Sequence, residues 1–316
     1  MDTMNFLSTF VTVLVTIVLA VPGFVLRKTK LLPDGAANVL AVLLLYVSQP
    51  FLMISSLLNK RFESSMLGNF GWILGFMIAL QLLVYFIARA VFMRCGDISA
   101  KRVCVACSYL GNVGFMGIPV MKMLFPENDT LVLYTAVANI AFNAMVWTLG
   151  VYAVTGDKKS ISPLKILLNP PTVATILVLP LFFCNVRIPE QVMTPIRYLG
   201  DMTLPLSMSI LGIRLADMQP IRLVNDGKTY LVCFLKLVVS PLVAFGVLYA
   251  AAFLFGIEKN VLIALFIIAA MPTASSALNF AEMYGGDRET AAASTLVSTL
   301  FCVITIPILT LLLALF

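Results

Sequence analysis

Long apolar runs separated by short polar linkers follow one another along the whole chain. Ten of these runs are long enough to cross about 30 Å of hydrocarbon, which takes roughly 20 residues of helix. They span 5–26, 35–58, 66–93, 102–124, 130–154, 165–185, 194–215, 229–255, 260–283 and 290–315. The linkers carry the Asp, Asn, Gly, Pro and Lys residues typical of turns. The pattern predicts an all-α polytopic membrane protein with ten transmembrane helices.

The two halves of the chain share a pattern at an offset of 158 residues, which is half of the 316-residue length. The polar and apolar order of 101–129 matches that of 259–287. A second match joins 46–53 to 201–208 at an offset of 155 residues. Both matches are in register with the span count, so we predict an internal repeat.

The polar segment 155–164 divides the chain into two repeats of five spans, 1–154 and 165–316. Because five is odd, the second repeat is predicted to lie inverted relative to the first. Of the Lys and Arg residues near span ends, 14 fall on the side of the 155–164 linker and 6 on the other side. The positive-inside rule then places the linker in the cytoplasm and both termini outside. We expect a multi-pass protein of the cell (inner) membrane whose first span is retained and is not a signal peptide.

Composition narrows the function classes. Hydrophobic residues make up 61% of the chain and charged residues 11%, which excludes an ordinary soluble domain. The chain has no histidine, so any proton coupling needs Asp, Glu or Lys. Cys104 and Cys107 are interpreted as packing residues and not as metal ligands. We predict no metal, no cofactor and no nucleic-acid partner. Because intramembrane proteases need a histidine or two aspartates, and Asp201 is the one candidate, we predict no enzyme.

Two spans are interrupted near their middles at matching positions of the repeats. Glycines interrupt span four, and a proline followed by hydroxyl residues interrupts span nine. Residues at these breaks are the predicted substrate contacts: Gly111, Asn112, Gly114, Pro272, Thr273, Ala274 and Ser275. A broken helix persists in lipid only where protein, water or ligand satisfies its backbone. Two inverted broken helices would point helix N-termini, which attract anions, at a shared centre. The alternative is that these residues only allow kinks or close helix packing.

Other polar residues inside the spans are candidates with open alternatives. The polar residues Gln49, Ser55, Asn139, Asn143 and Asn279 are predicted either to contact substrate or to join helices by hydrogen bonds. Lys236 lies about 9 Å inside span eight at helical rise. It is either a cation near the substrate path, where it could replace a coupling ion, or a side chain that reaches back to the interface. Asp201 can pair with Arg197 at i,i+4 spacing, or it can serve as a coupling carboxylate.

Several motifs together resemble one transporter family. They are the segment 111–119 (GNVGFMGIP), Asn169 with Pro170, Lys236 with Pro241, and the segment 270–274 (AMPTA). These motifs resemble the auxin efflux carrier family, which includes plant PIN-like proteins and bacterial permeases. The resemblance covers essentially the whole chain. It implies the ten-helix fold of the bile acid:sodium symporters, also described as NhaA-like, with spans four and nine crossing and an elevator-like motion.

The resemblance also implies a substrate class. Similar proteins carry small organic anions such as auxin, malate or malonate, with Asn112 at the crossover and 272–275 opposite. The short central linker resembles that of bacterial permeases, and a homodimer is implied as well. The sodium-site carboxylates of the bile acid symporters have no evident counterparts in the broken spans.

The leading hypothesis is therefore secondary transport of a carboxylate anion by alternating access. A sodium-coupled organic anion symporter is the alternative within this class. A membrane sensor that binds the anion without transporting it is the alternative from another class.

Overall fold

The structure is a computed structural model that describes residues 6–218 and 226–316, and within these ranges it is almost entirely helical. Six helical segments there are long and apolar enough to cross a membrane: 6–28, 36–58, 66–94, 129–155, 227–255 and 288–315. They are built from α1 (Phe6–Val18), α2 (Val21–Lys28), α3 (Ala36–Leu43), α4 (Gln49–Leu58), α5 (Met66–Val91), α8 (Asp129–Met145), α9 (Val151–Thr155), α14 (Gly227–Phe234), α15 (Ser240–Phe255) and α18 (Arg288–Thr310). The prediction of apolar spans is confirmed for these six.

The other four predicted spans coincide with shorter helices. They are α6 (Ile98–Tyr109), α7 (Ile118–Leu124), α10 (Pro163–Leu167), α11 (Pro170–Phe183), α12 (Glu190–Asp201), α13 (Thr203–Asp217), α16 (Lys259–Ala269) and α17 (Ser275–Tyr284). Spans four and nine are interrupted between α6 and α7 and between α16 and α17, at the predicted positions. The ten-helix inverted repeat stays a prediction. Residues 1–5, and Arg222, which is one of the 14 basic residues in the orientation count, lie outside the described residues.

Three of the widened π-helical turns in the apolar helices are followed by a proline. In the described ranges there are four such turns: Leu44–Ser48, Val113–Gly117, Val146–Gly150 and Leu235–Val239. Pro50, Pro119 and Pro241 each follow one of the turns by two residues. A proline lacks an N–H and its ring clashes with the carbonyl four residues earlier, which here is the middle of the π turn. The wider turn relieves that clash, so the helix continues through the proline.

The two interrupted spans are hydrogen-bonded to each other at their breaks. The Asn112 N–H donates to the Pro272 carbonyl at 2.8 Å, and the Ala274 N–H donates to the Leu110 carbonyl at 2.9 Å. Gly111 and Thr273 lie opposite each other between these bonds as an isolated antiparallel bridge. An unpaired backbone group in lipid costs several kcal/mol. Through the bridge, each broken helix therefore provides hydrogen-bond partners for some of the backbone groups that the other break leaves unpaired.

Thr273 anchors this bridge to neighbouring helices. Its hydroxyl donates to the Cys107 carbonyl in the last turn of α6 at 3.0 Å, and its N–H donates to the Ser298 hydroxyl of α18 at 3.1 Å. The side chain is completely buried. Thr273 thus holds the break in span nine against two other helices.

Glycines allow α2 and α13 to pack with their backbones in contact. A Cβ atom on Gly212 would lie 1.9 Å from the Ala20 carbonyl oxygen, and one on Gly23 would lie 2.1 Å from the Ser209 carbonyl oxygen. Gly200 likewise lies against the Leu52 backbone of α4. Small residues at helix interfaces permit this approach in membranes. A first helix group, consisting of α2, α4, α11, α12 and α13, is joined by such contacts and by extensive packing.

A second helix group contains α5, α6, α8, α15, α16, α17 and α18, and most of the apolar core lies within it. Its helices are also joined by a polar network around Glu258, just before α16. The Glu258 carboxylate accepts from the Tyr134 hydroxyl at 3.0 Å and from the Asn260 amide at 2.8 Å, and also from the Asn69 amide. These bonds connect α5, α8 and α16 at one end of the core.

We predict that Gly212→Ala destabilises the protein. The added methyl group would overlap the Ala20 carbonyl, and overpacking of this kind costs about 1–3 kcal/mol. Gly246→Ala in α15 is the matched control, because nothing lies within 4 Å of its added Cβ. That change should be neutral or stabilising by up to about 1 kcal/mol. Thermal unfolding of the two purified variants measures the difference; equal midpoints would contradict the close packing of α2 and α13.

We also predict that Thr273→Val destabilises the protein by about 1–3 kcal/mol, because it leaves the buried Cys107 carbonyl without its hydroxyl donor. The control is Thr12→Val, which removes a hydroxyl that, among the described residues, bonds to the Ser8 carbonyl in its own helix. The thermal midpoint should fall clearly more for Thr273→Val than for Thr12→Val. A midpoint that falls equally in both would argue against an anchoring role for Thr273.

Candidate functional site

The bridge between the two breaks lies between two cavities of different character. We call the larger one the amide cavity, because six carboxamide side chains line it within a volume of about 120 Å³. These side chains are Gln49, Asn112, Asn139, Asn143, Asn169 and Asn279. Trp147, Phe115 and Phe142 supply apolar walls. The lining residues, all within the described part of the chain, include no charged side chain.

Two helix starts border the amide cavity. Helix α17 begins at Ser275, and both Ala274 before it and Ser276 in its first turn line the cavity. The π turn Val113–Gly117, which leads into α7, places Gly114 and Phe115 on the same cavity. In neither case does the described structure have a side chain that caps the helix start. The first N–H groups of a helix lack intrahelical partners and carry a partial positive charge. The amide cavity therefore has the polarity of an anion site.

Several polar atoms around the cavity are buried without a partner among the described residues. They are the Gln49 Nε2, Asn139 Oδ1, Asn169 Oδ1 and Ser276 Oγ atoms. A Cβ on Gly114 would lie 2.6 Å from Gln49 Nε2 and 3.2 Å from Asn139 Oδ1, so only glycine leaves room for both amides at this turn. Buried polar groups are normally hydrogen-bonded. Unpaired donors and acceptors in one cavity are the groups that a polar ligand would satisfy.

The second cavity, which we call the lysine cavity, has a volume of about 30 Å³ and is lined by Lys236, Gly111, Gln81, Tyr109 and Ala269 among others. The Lys236 side chain is only 2% exposed, and its ammonium donates to the Ala269 carbonyl at 3.3 Å. A Cβ on Gly111 would lie 3.0 Å from the Lys236 Nζ atom. Lys236 therefore does not reach back to the membrane interface, and that alternative is wrong.

The position of Lys236 has an electrostatic reason. Tyr109 is the last residue of α6 and Ala269 is the last residue of α16, so two helix C-termini meet at the lysine cavity. Helix C-termini carry a partial negative charge that favours a cation. The Lys236 side-chain nitrogen lies at these C-termini, where it donates to the Ala269 carbonyl. The anion-attracting helix starts border the amide cavity instead.

The predicted pairing of Asp201 with Arg197 is wrong. Asp201 pairs with Lys122 of α7 at 2.9 Å, and Arg197 pairs with Glu190. Asp201 is the last residue of α12, where its side chain meets α7 from another part of the chain. Both Asp201 and Lys122 are about half exposed, and exposed pairs of this kind contribute about 0–1 kcal/mol. Asp201 lines neither the amide cavity nor the lysine cavity.

The structure brings together six of the predicted substrate contacts. The residues that line the amide cavity are Gln49, Asn112, Gly114, Asn139, Asn143 and Ala274. Gly111 lines the lysine cavity instead. Pro272 and Thr273 form part of the backbone bridge between the two breaks. Ser275 is the first residue of α17, next to the cavity lining.

Sequence reasoning missed Asn169 and Arg214 near the amide cavity, whereas Asn279 was a candidate with an open alternative. Asn169 precedes the proline pair that starts α11, and Asn279 lies one turn into α17. Arg214 of α13 donates to the Asn279 side-chain oxygen at 3.2 Å and lies 3.9 Å from the Glu282 carboxylate. Its side chain is 13% exposed, although the sequence count treated it as a charge of the cytoplasmic side. The sequence does contain a signal for the burial of Arg214, because this residue lies inside an apolar helix and is followed by Leu and Ala.

Two comparisons with known proteins bear on the identity of the chain. A family model described as a membrane transport protein matches residues 8–310. A protein of Methanocaldococcus jannaschii that is described as an uncharacterized transporter is 27% identical over 309 residues, covering 93% of this chain and 95% of that protein. The matched region contains both interrupted helices and both cavities. The chain therefore belongs to the membrane transport protein family, the auxin efflux carrier family that its motifs resemble.

Proposed function

We propose that the protein is a secondary transporter of a small organic carboxylate anion and that the amide cavity is its substrate site. The observation that carries this proposal is the pair of helix starts that border a cavity lined by six carboxamides and no charged side chain. Free N–H groups and amide donors can bind a carboxylate without placing a fixed charge in the membrane interior. A substrate bound in this way can also leave again, because no buried ion pair has to be broken.

Electrostatics around the cavity favour a negative guest. The partial positive charges of two helix starts attract an anion. The Arg214 guanidinium is one hydrogen bond away from Asn279, which lines the cavity, and its charge is partly compensated by the Glu282 carboxylate at 3.9 Å. A half-helix N-terminus that faces an anionic group is the arrangement expected in transporters with broken helices.

The transport mechanism we propose is elevator-type alternating access in a ten-helix inverted repeat. Paired breaks at matching positions of the two repeats support this topology. The first helix group is joined by backbone contacts at Gly23, Gly200 and Gly212, which suits a rigid scaffold. The second helix group contains the break between α16 and α17 and the helix α6 that leads into the other break, and it suits a moving unit. The excess of Lys and Arg on the linker side supports a cytoplasmic location for that side.

We further propose that Lys236 takes the place that a coupling cation would occupy. Half-helix C-termini coordinate Na⁺ or H⁺ in transporters of this general design. Here the Lys236 ammonium binds the carbonyl at the end of α16. Charge compensation is then built into the protein, and transport does not require sodium at this position.

We predict that Asn112→Ala weakens carboxylate binding by about 10- to 100-fold, since hydrogen bonds to charged groups contribute about 1.5–3 kcal/mol. The substitution leaves the backbone bond from Asn112 to Pro272 in place, so the fold should persist. Thermal-shift titrations with lactate and malate, and uptake of the labelled anions into proteoliposomes, measure the effect.

The matched control for that experiment is Asn38→Ala on the exposed surface of α3, which should bind and transport like the parent protein. Unchanged affinity in Asn112→Ala would refute the site assignment. Saturable binding without any flux in the parent protein would instead identify a membrane sensor. Flux that requires a sodium gradient would identify the sodium-coupled alternative.

We predict that Lys236→Ala makes the protein sensitive to sodium. Removal of the ammonium leaves oxygen atoms of Ala269, Gln81 and Tyr109 around a small cavity at two helix C-termini. A sodium ion bound there should stabilise the variant by about 2.7 kcal/mol at 100 times its dissociation constant. The thermal midpoint of the variant should rise in sodium chloride relative to choline chloride, whereas the parent protein should not respond. Equal responses of the two proteins would refute this role of Lys236.

A further inference from the structure

Basic side chains line a third cavity, whose residues are distant in sequence from both breaks. This arginine pocket has a volume of about 270 Å³ and lies where α4 and α11 end and α12 begins. Its charged lining residues are Lys60, Arg61, Arg187, Arg197 and Glu190. Leu181, Phe182 and Ile188 add an apolar wall.

The charges of the arginine pocket are not balanced by the protein. Arg197 pairs with Glu190. Among the described residues, no carboxylate lies within ion-pair distance of Lys60, Arg61 or Arg187. Glu190 is the one carboxylate of the lining, so four cations share the cavity with a single counter-charge. Like charges held close together repel each other, so an anion in the pocket would relieve this cost.

A specific contact holds the two loops of the pocket together. The Asn185 side chain accepts from the Phe62 N–H at 2.8 Å and donates to the Phe62 carbonyl at 3.0 Å. Asn185 adopts a left-handed backbone conformation with φ of 52°, and the Phe62 ring packs edge-on against Phe182 and Phe183. Because of this clasp, Arg61 and Arg187 are brought to the same cavity from segments more than a hundred residues apart.

The membrane charge bias does not explain this cluster. The positive-inside rule concentrates Lys and Arg on the cytoplasmic side and leaves few on the other side. Six basic residues remain on the predicted outer side, and four of those six line the arginine pocket. The positive-inside rule explains why the predicted outer side has few Lys and Arg residues. It does not explain why four of those few line one cavity.

We propose that the arginine pocket binds the phosphate group of an anionic ligand at the membrane surface. Guanidinium groups bind phosphate oxygens in paired hydrogen bonds, and two of the three uncompensated cations are arginines. The apolar wall beside them matches the glycerol and acyl part of an anionic lipid. Basic pockets between transmembrane helices bind such headgroups on the cytoplasmic side of membranes, and the same chemistry applies to a pocket on the other side. A soluble phosphate ester has the same charged group without the apolar part. This site is separate from the amide cavity and does not depend on the proposed transport activity.

Binding to the purified full-length protein tests the proposal in two arms. In the first arm, native mass spectrometry counts phosphatidylglycerol bound in competition with phosphatidylcholine. In the second arm, thermal-shift titration with inorganic phosphate tests a soluble ligand. Either response supports the pocket, and the arm that responds identifies the source of the phosphate. Absence of a response in both arms overturns the proposal.

Three substitutions locate the response. Arg187→Gln and Arg61→Gln should each weaken binding by about fivefold, the effect expected per basic residue at a membrane surface. Asn185→Gly keeps every charge and tolerates the left-handed backbone but removes the clasp, so it should also weaken binding. Lys259→Gln, which removes an exposed cation of the same predicted face outside the pocket, is the control and should bind like the parent protein. Equal losses in Lys259→Gln and Arg187→Gln would show that only the overall charge matters and would overturn the proposal.

Discussion

The backbone hydrogen bonds between the two interrupted spans are the interaction on which the rest of the structure depends. A helix that breaks inside a membrane leaves N–H and C=O groups that water cannot satisfy. Here the carbonyls of Leu110 and Pro272 accept from the amides of Ala274 and Asn112 across a short antiparallel bridge. Pro272 suits this place, because it contributes a carbonyl and has no N–H that would need a partner. Each break thus supplies hydrogen-bond partners to the other.

The bridge also fixes the electrostatic polarity of the core. Two helices end at the lysine cavity, and two helical segments begin at the amide cavity. Helix ends that attract cations therefore meet at Lys236, and helix starts that attract anions meet at the carboxamides. A single backbone arrangement explains why the chain places a buried lysine next to one cavity and only neutral side chains around the other.

The sequence was sufficient to find this arrangement where local chemistry signals it. Glycines at 111, 114 and 117 and the Pro272 segment marked both breaks, because few other residues interrupt an apolar helix. The amide cavity was found only in part, since Asn169 joins it from the start of α11, a helix whose packing no local pattern reveals. The i,i+4 spacing of Arg197 and Asp201 was misleading for the same reason: Lys122, from α7, is the closer partner of Asp201. Arg214 was counted as a surface charge because its burial depends on α17, which lies 65 residues away at Asn279.

The most direct test of the central claim is a distance measurement between a bound carboxylate and the helix starts. Solid-state NMR can measure dipolar coupling between a ¹³C-labelled ligand carboxylate and the ¹⁵N-labelled backbone of the protein in lipid. If the helix starts bind the anion, hydrogen-bonded geometry puts the carboxylate carbon within about 4 Å of the amide nitrogen of Ser275, Ser276 or Gly114. A ligand that binds with full occupancy but shows no coupling to these amides would contradict the account.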